Sequence, residues 1–347
     1  MKLNHIYKSI ACGVLLAMTA TSCDLDYNPV DTYSDVTEGV NKTDEKPIFN
    51  SVQDVETSMV TLHKKFRDRQ EHWYVDKLLI GDAHSDNAYA GTTGAEVVPY
   101  ETNSIEGSNS VLKRDWDRFL GDIAVANRII VGCDQLKALS ESERGKYQSQ
   151  AKIFRAMVMF DMVRLWGNFP VITTVGGDIT EDNVEEMYPT YFPPQNTAEE
   201  AYAQIEKDLT EAVENPNTPT NDTSDKSILT KSVARAMLAK VYAEKPLRDY
   251  AKVIKYADEL AADGFDLVED FSDLWAYDTE KKDCRVRNTK EAILEAHFPP
   301  GSGNWCTWMF GRNLSNWDES FTWAKWITPS RDLIRLYEEQ GLSLIHI

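Results

Sequence analysis

Hydrophobic residues recur at helical spacing along most of this chain. The clearest run is AKIFRAMVMFDMVRLWGNFP, residues 151–170. Phe154, Val158, Met162 and Leu165 trace one stripe, and Ala151, Met157, Met159 and Phe160 widen it until little polar face remains. A helix apolar nearly all round is buried between other helices, so this is the expected central helix of an α-rich domain. Asp161 and Arg164 are three residues apart and can pair on one face. Gly167 and Pro170 stop the helix, and residues 171–174 read as a short extended run.

The same period predicts the other elements. Val55, Met59, Leu62 and Phe66 give a first helix over 54–70, with His63 at the edge of the stripe. Leu112, Trp116, Phe119, Leu120, Ile123, Ala126, Ile130 and Cys133 sustain a long helix over 110–136. Ser140 with Glu143 forms a capping box at the start of the helix that ends at Gly167, and Thr197 with Glu200 forms another. The helix after Thr197 carries Ala201, Ile205, Leu209 and Val213 on one face. Thr230 caps a further helix that Pro246 breaks, and Tyr250, Val253, Ile254, Ala257 and Leu260 mark the next, which stops at Gly264. These last two pair as a hairpin with small residues (Ala234, Ala236, Ala239, Ala243) where the backbones approach. Successive hairpins predict a mainly α fold, tetratricopeptide-like helical hairpins stacked as an α-α superhelix. Residues 176–194 and 215–227 read as polar connections, 291–298 as a strand, and Ser330 as the cap of a short helix to Glu339. Helical period fails across 299–330, a loop-rich part holding five of the nine Trp: Trp305, Trp308, Trp317, Trp323 and Trp326.

Composition narrows the function. The 347 residues are 42% hydrophobic and carry a net charge of −19. That acidity argues against nucleic acid, which needs Lys and Arg clusters on phosphates, and against holding an anionic bilayer by a basic patch. The N-terminus reads as targeting sequence. Lys2 and Lys8 precede a short apolar run over 10–20, too short to span a bilayer, and Thr-Ala-Thr-Ser-Cys ends at Cys23. This resembles a bacterial lipoprotein signal with Cys23 as the lipidated thiol, although Ala20 stands where Leu is usual. The alternative is an ordinary secretory signal cut near Ala20. Residues 1–22 are then the signal, 23–47 the acylated Cys and a flexible tether, and 48–347 the domain. Cys133, Cys284 and Cys306 have no zinc spacing; Cys284 and Cys306 can pair, or all three are free thiols.

The stretch at 82–89 concentrates polar chemistry. Asp82, His84 and Asp86 alternate, so an extended chain would set them on one side. Three readings stand: a polar loop whose Asp and Asn side chains cap its own backbone, a ligand-contacting loop, or a metal set of carboxylate and imidazole. The EF-hand pattern fails, because Thr93 stands where the acidic residue belongs. No G-x-S-x-G, H-E-x-x-H or phosphate-binding loop is present, so no catalytic residue, metal or cofactor is expected. Asp115 and Asp117, two apart on a helix, face different sides and make no catalytic pair.

The run R-A-x-x-x-F-D-x-V-R-L-W-G-x-F-P resembles the signature of the SusD/RagB family through Arg155, Ala156, Phe160, Asp161, Val163, Arg164, Gly167 and Pro170. Cys23, the Ser-Asp-Asn loop at 85–87, the helix at 233–242, the run at 291–298 and Thr328-Pro-Ser-Arg-Asp-Leu resemble further family pieces in order. The resemblance implies a SusD-like fold of helical hairpins with an irregular ligand-binding part. It implies a lipid-anchored, surface-exposed outer-membrane protein of Bacteroidetes that binds nutrient glycans and works with a TonB-dependent transporter of the SusC type. It implies no catalysis, and a C-terminal part missing from this sequence. Sugar rings present apolar faces to aromatic rings and hydroxyls to polar side chains. The candidates for such contacts are Trp73, Tyr74, Asp86, Asn87 and Tyr89, with Trp305 and Trp308 from the Trp-rich loop. The rival readings are a secreted glycan-degrading enzyme and a tetratricopeptide-like adaptor for peptides.

Overall fold

The computed structural model describes residues 47–341, apart from 69–70, 91–95, 178, 180–182, 275 and 300–326. The signal, Cys23, the tether up to residue 46 and the five Trp of the loop-rich part lie outside the described residues.

Helices dominate. They are α1 (Val52–Asp68), α2 (Asp76–Leu78), α3 (Val98–Glu101), α4 (Ser110–Gln135), α5 (Glu141–Trp166), α6 (Val184–Tyr191), α7 (Ala198–Glu214), α8 (Lys231–Ala243), α9 (Tyr250–Ala262) and α10 (Arg331–Glu339). The strands are short: β1 (Ala88–Ala90), β2 (Tyr277–Asp278), β3 (Asp283–Cys284) and β4 (Ile327–Pro329). The long helices pack in sequence, α1 on α4, α4 on α5, α5 on α7, α7 on α8 and α8 on α9. This is the mainly α, tetratricopeptide-like stack that periodicity predicts.

Local chemistry explains the helix limits. Ser140 and Thr197 each accept from the backbone three residues on, and Glu143 and Glu200 return the bond, two complete capping boxes. The Asn109 side chain accepts from Val111 N and Leu112 N to open α4, and Asp249 opens α9. Gly167 closes α5 at φ 72°, a conformation costly for any residue with a Cβ.

α5 is the centre. Ile153, Phe154, Ala156, Val158, Met159 and Met162 are wholly buried, and residues of α1, α4, α7 and α8 complete the same core. Close packing here tolerates little change: a Cβ on Gly132 would stand 2.4 Å from the Phe49 ring. A fully buried guanidinium–carboxylate pair sits inside. Arg155 meets Asp208 of α7 at 2.8 and 2.7 Å, and its third nitrogen donates to Asn127 of α4 at 2.7 Å. The Asn127 amide in turn donates to the Ile172 and Thr174 carbonyls.

Several expectations are corrected. Asp161 and Arg164 do not pair with one another: Asp161 meets Lys77, and Arg164 meets Glu244 at 3.1 Å. The spacing is right, but each side chain finds a partner on another part of the fold. Residues 171–174 join no ladder, because their carbonyls serve Asn127 instead. Residues 291–298 form no strand; Glu295 folds its carboxylate back onto the backbone of Asn288 and Thr289. The connection at 176–194 contains α6, Pro189 included. Among the described residues no helix is long and apolar enough to cross a membrane.

The buried Arg155–Asp208 pair yields a prediction. Asp208→Ala strands a guanidinium in the core, so urea denaturation should show a loss of about 3–5 kcal/mol. A loss under about 1 kcal/mol would show that the pair does not hold the stack.

Candidate functional site

A second, smaller core lies beside the helical stack. Val75, Leu79, Ala83, Ala88, Ala90, Val97, Tyr100, Val111 and Ile327 build it. The chain reaches it through irregular winding: π-helical turns at Glu71–Val75 and Leu79–Ala83 flank the single turn of α2. Wide turns of this kind re-aim side chains and recur at functional sites. The winding ends at the polar loop 84–87, whose four residues are all exposed. β1 follows and pairs antiparallel with β4, Ala88 opposite Pro329, Tyr89 opposite Thr328 and Ala90 opposite Ile327.

The loop is shaped by its own side chains. Ser85 Oγ donates to the Asp82 carbonyl at 2.9 Å and accepts from Asn87 N at 3.2 Å. Ser330 Oγ donates to the Asp86 carbonyl at 2.7 Å, and Ser330 N donates to the Asn87 carbonyl at 2.9 Å. Glu101 accepts from Ala90 N at 2.8 Å. With the backbone so engaged, the Asp86 and Asn87 side chains and the Tyr89 ring, 41% exposed, face solvent. Asp82 lies on a helical turn rather than an extended strand, so the alternation with His84 and Asp86 does not put the three on one side. Among the described residues no three His, Cys, Asp or Glu side chains converge as a metal site.

The sequence candidates therefore separate. Asp86, Asn87 and Tyr89 come together on one exposed loop and strand. Trp73 does not join them. It is buried at 4% exposure, donates to Asp122 at 3.3 Å, and packs against Phe66, Phe119 and Phe154. A ring in a core cannot stack on a sugar, so Trp73 is corrected to a structural residue. Tyr74 is half-buried against the main core. Trp305 and Trp308 lie outside the described residues; β4, which follows that stretch in the chain, lies against β1. Sequence reasoning also missed a second aromatic surface. Tyr188 and Phe192 of the α6 region stack at 4.8 Å and are 59% and 67% exposed. Their spacing of four was the available signal, hidden by Pro189.

Beside Tyr100 of this small core lies a buried charge cluster. Asp76 and Asp115 are each 1% exposed, and Arg114 binds both. Tyr100, also buried, feels both carboxylates, and burial with their charge raises its hydroxyl pKa. Two carboxylates and one guanidinium leave an excess negative charge in a dry site. Burial, then the nearby Asp76, push the Asp115 carboxyl up to about 8. A proton on Asp115 thus lets its carboxyl donate to the Asp76 carboxylate. The sequence missed this pair because it compares Asp115 with Asp117; only folding brings Asp76 near.

Comparison with known proteins decides the family. The SusD-like family, described as starch-binding associating with outer membrane, matches residues 33–243. The chain belongs to the SusD-like family. A SusD-like protein of Bacteroides ovatus is 25% identical over 309 residues, 85% of this chain and 50% of that protein. The SusD-like chain thus spans about half the length of the curated relative it matches. Among solved structures, a laminarin binding SusD-like protein superposes with TM-score 0.54 at 20% identity, over 65% of this chain and 48% of that one. Surface glycan-binding protein A from Bacteroides thetaiotaomicron in complex with laminarihexaose gives 0.57 at 17% identity, over 71% and 49%. A putative sugar binding protein from Bacteroides vulgatus gives 0.62 at 17% identity, over 84% and 63%. At these identities the structures establish the shared fold of this SusD-like chain.

The charge cluster makes stability pH-dependent. Asp115 is raised in the folded state, so its contribution is full below the ordinary carboxylate pKa of about 4 and is lost as pH rises towards 8. Asp115→Asn keeps the shape and removes the titration. Urea unfolding between pH 5 and 8 should fall for the native protein at up to about 1.4 kcal/mol per pH unit relative to the variant. Parallel pH profiles would show that Asp115 is not the protonated partner.

Proposed function

We propose that this SusD-like chain binds neutral glycans at the cell surface. It is held to the outer membrane by a lipid on Cys23 and passes its ligand to a TonB-dependent transporter of the SusC type. The observation that carries the reading is the loop and strand that present Tyr89 beside Asp86 and Asn87. A flat exposed ring offers a stacking face for a pyranose, and the two polar side chains offer bonds to its hydroxyls. The loop's own carboxylates, in a chain of net charge −19, disfavour acidic sugars. Trp305 and Trp308, near β4 in the chain, are proposed to add further stacking faces. Support comes from the family's description and from structural neighbours named for laminarin and laminarihexaose.

We assign no catalytic role. A glycosidase needs two carboxylates across an open cleft. The paired carboxylates of Asp76 and Asp115 are buried and out of reach of a polysaccharide.

Titration calorimetry with maltoheptaose and laminarihexaose tests the reading. Binding of at least one is expected, and Tyr89→Ala and Trp308→Ala should each weaken it about three- to tenfold at unchanged melting temperature. Unchanged affinity in both variants would retire this choice of site. Release of reducing ends by the purified protein would overturn the absence of catalysis. Cys23→Ser should shift the protein from the membrane fraction to the soluble fraction of expressing cells; retention in the membrane would refute lipidation there.

A further inference from the structure

Thr328-Pro-Ser-Arg-Asp-Leu is a motif that neither the scaffold nor the proposed contacts explain. Its place in the structure does. Ser330 sits at a junction, 3% exposed, and uses every polar group it has. Its Oγ accepts from Leu333 N at 3.1 Å, which caps α10, and donates to the Asp86 carbonyl at 2.7 Å. Its N–H donates to the Asn87 carbonyl at 2.9 Å. One residue on, Arg331 N at the first turn of α10 donates to the Tyr89 hydroxyl at 3.4 Å. The three candidate positions Asp86, Asn87 and Tyr89, separated from Ser330 by more than 240 residues, are thereby tied to the start of one helix.

We infer that Ser330 is a positioning residue for the glycan loop: the N-cap of α10 is the clasp that holds Asp86, Asn87 and Tyr89 in their presenting geometry. This rests on the proposed function only for the word glycan; the clasp itself is a matter of backbone geometry. The clasp is short of other support. β1 and β4 share three residue pairs, and α10 has no buried residue of its own. Ile327, in the small core, and Ser330 are buried, while α10 is not. The scaffold core is a separate cluster, so releasing the clasp leaves the helical stack intact. The capping bond and the loop bond also share one hydroxyl, so α10 and the loop are loosened together by a single deletion.

The test compares Ser330→Ala with Ser330→Thr, which keeps the hydroxyl. Amide hydrogen exchange in the intact protein should rise about tenfold at residues 87–90 and at Leu333 in Ser330→Ala, with α5 amides unchanged, and should return towards the native rate in Ser330→Thr. Affinity for the neutral glucan that the native protein binds should fall about tenfold in Ser330→Ala and recover in Ser330→Thr. Unchanged exchange at 87–90 in Ser330→Ala overturns the clasp. Raised exchange with unchanged affinity overturns the positioning role. If the native protein binds neither maltoheptaose nor laminarihexaose, the proposed ligand fails, and the clasp is judged on exchange and its rescue by Thr.

Discussion

The structure depends on one buried guanidinium. Arg155 lies on the buried central helix, at 4% exposure, where an unpaired charge would be untenable. Its planar fork takes both oxygens of Asp208, a geometry a lysine cannot match. The remaining donor takes Asn127, and Gln204 shares the Asp208 carboxylate at 2.9 Å. One side chain thus sets the register of α4, α5 and α7 together. Through the Asn127 amide it also fixes where the chain runs after α5. Apolar packing brings these helices together without choosing a register; the polar network admits only one.

The site is built on different terms. The main core is large and continuous, whereas the loop rests on a small core fed by π-helical turns and a three-pair strand ladder. Beside that small core, at Tyr100, Asp76 and Asp115 share the one guanidinium of Arg114. A dry site that sets two acids against one guanidinium disfavours the second negative charge, so this lobe loses stability as the Asp115 proton is lost at higher pH. Rigid scaffold and lightly held loop divide the work. Family members can keep the stack while the presented side chains vary, which fits structural neighbours that share the fold at 17–20% identity.

Aromatic residues divide along the same line. Trp73 precedes the loop by only eleven residues, yet it locks α1, α4 and α5 with Phe66, Phe119 and Phe154. Lys77 lies over the same indole and also reaches Asp161 of α5, so the route from scaffold to loop is braced by charge as well as by packing. Tyr89, sixteen residues on, has no such enclosure and stays at the surface.

The sequence by itself determined the long helices, several of their caps and the family. Ser140–Glu143 and Thr197–Glu200 are local signals, since both partners lie within one turn, and the stripes of α1, α4, α5 and α7 need only the 3.6-residue period. It also pointed to the loop at 85–89. It could not say what each helix face would meet. Period places Asp161 and Arg164 on one side of a helix, but their partners, Lys77 and Glu244, come from elsewhere. It read 291–298 as a strand because the residue types allow one, while a strand exists only where a neighbour supplies a ladder. Asp76 against Asp115, Trp73 in the core and Ser330 against Asp86, 244 residues apart, were decided only by the tertiary structure. The physical reason is common to all three. Burial and long-range pairing depend on distances in space, and spacing along the chain encodes those only within a helix turn or a hairpin.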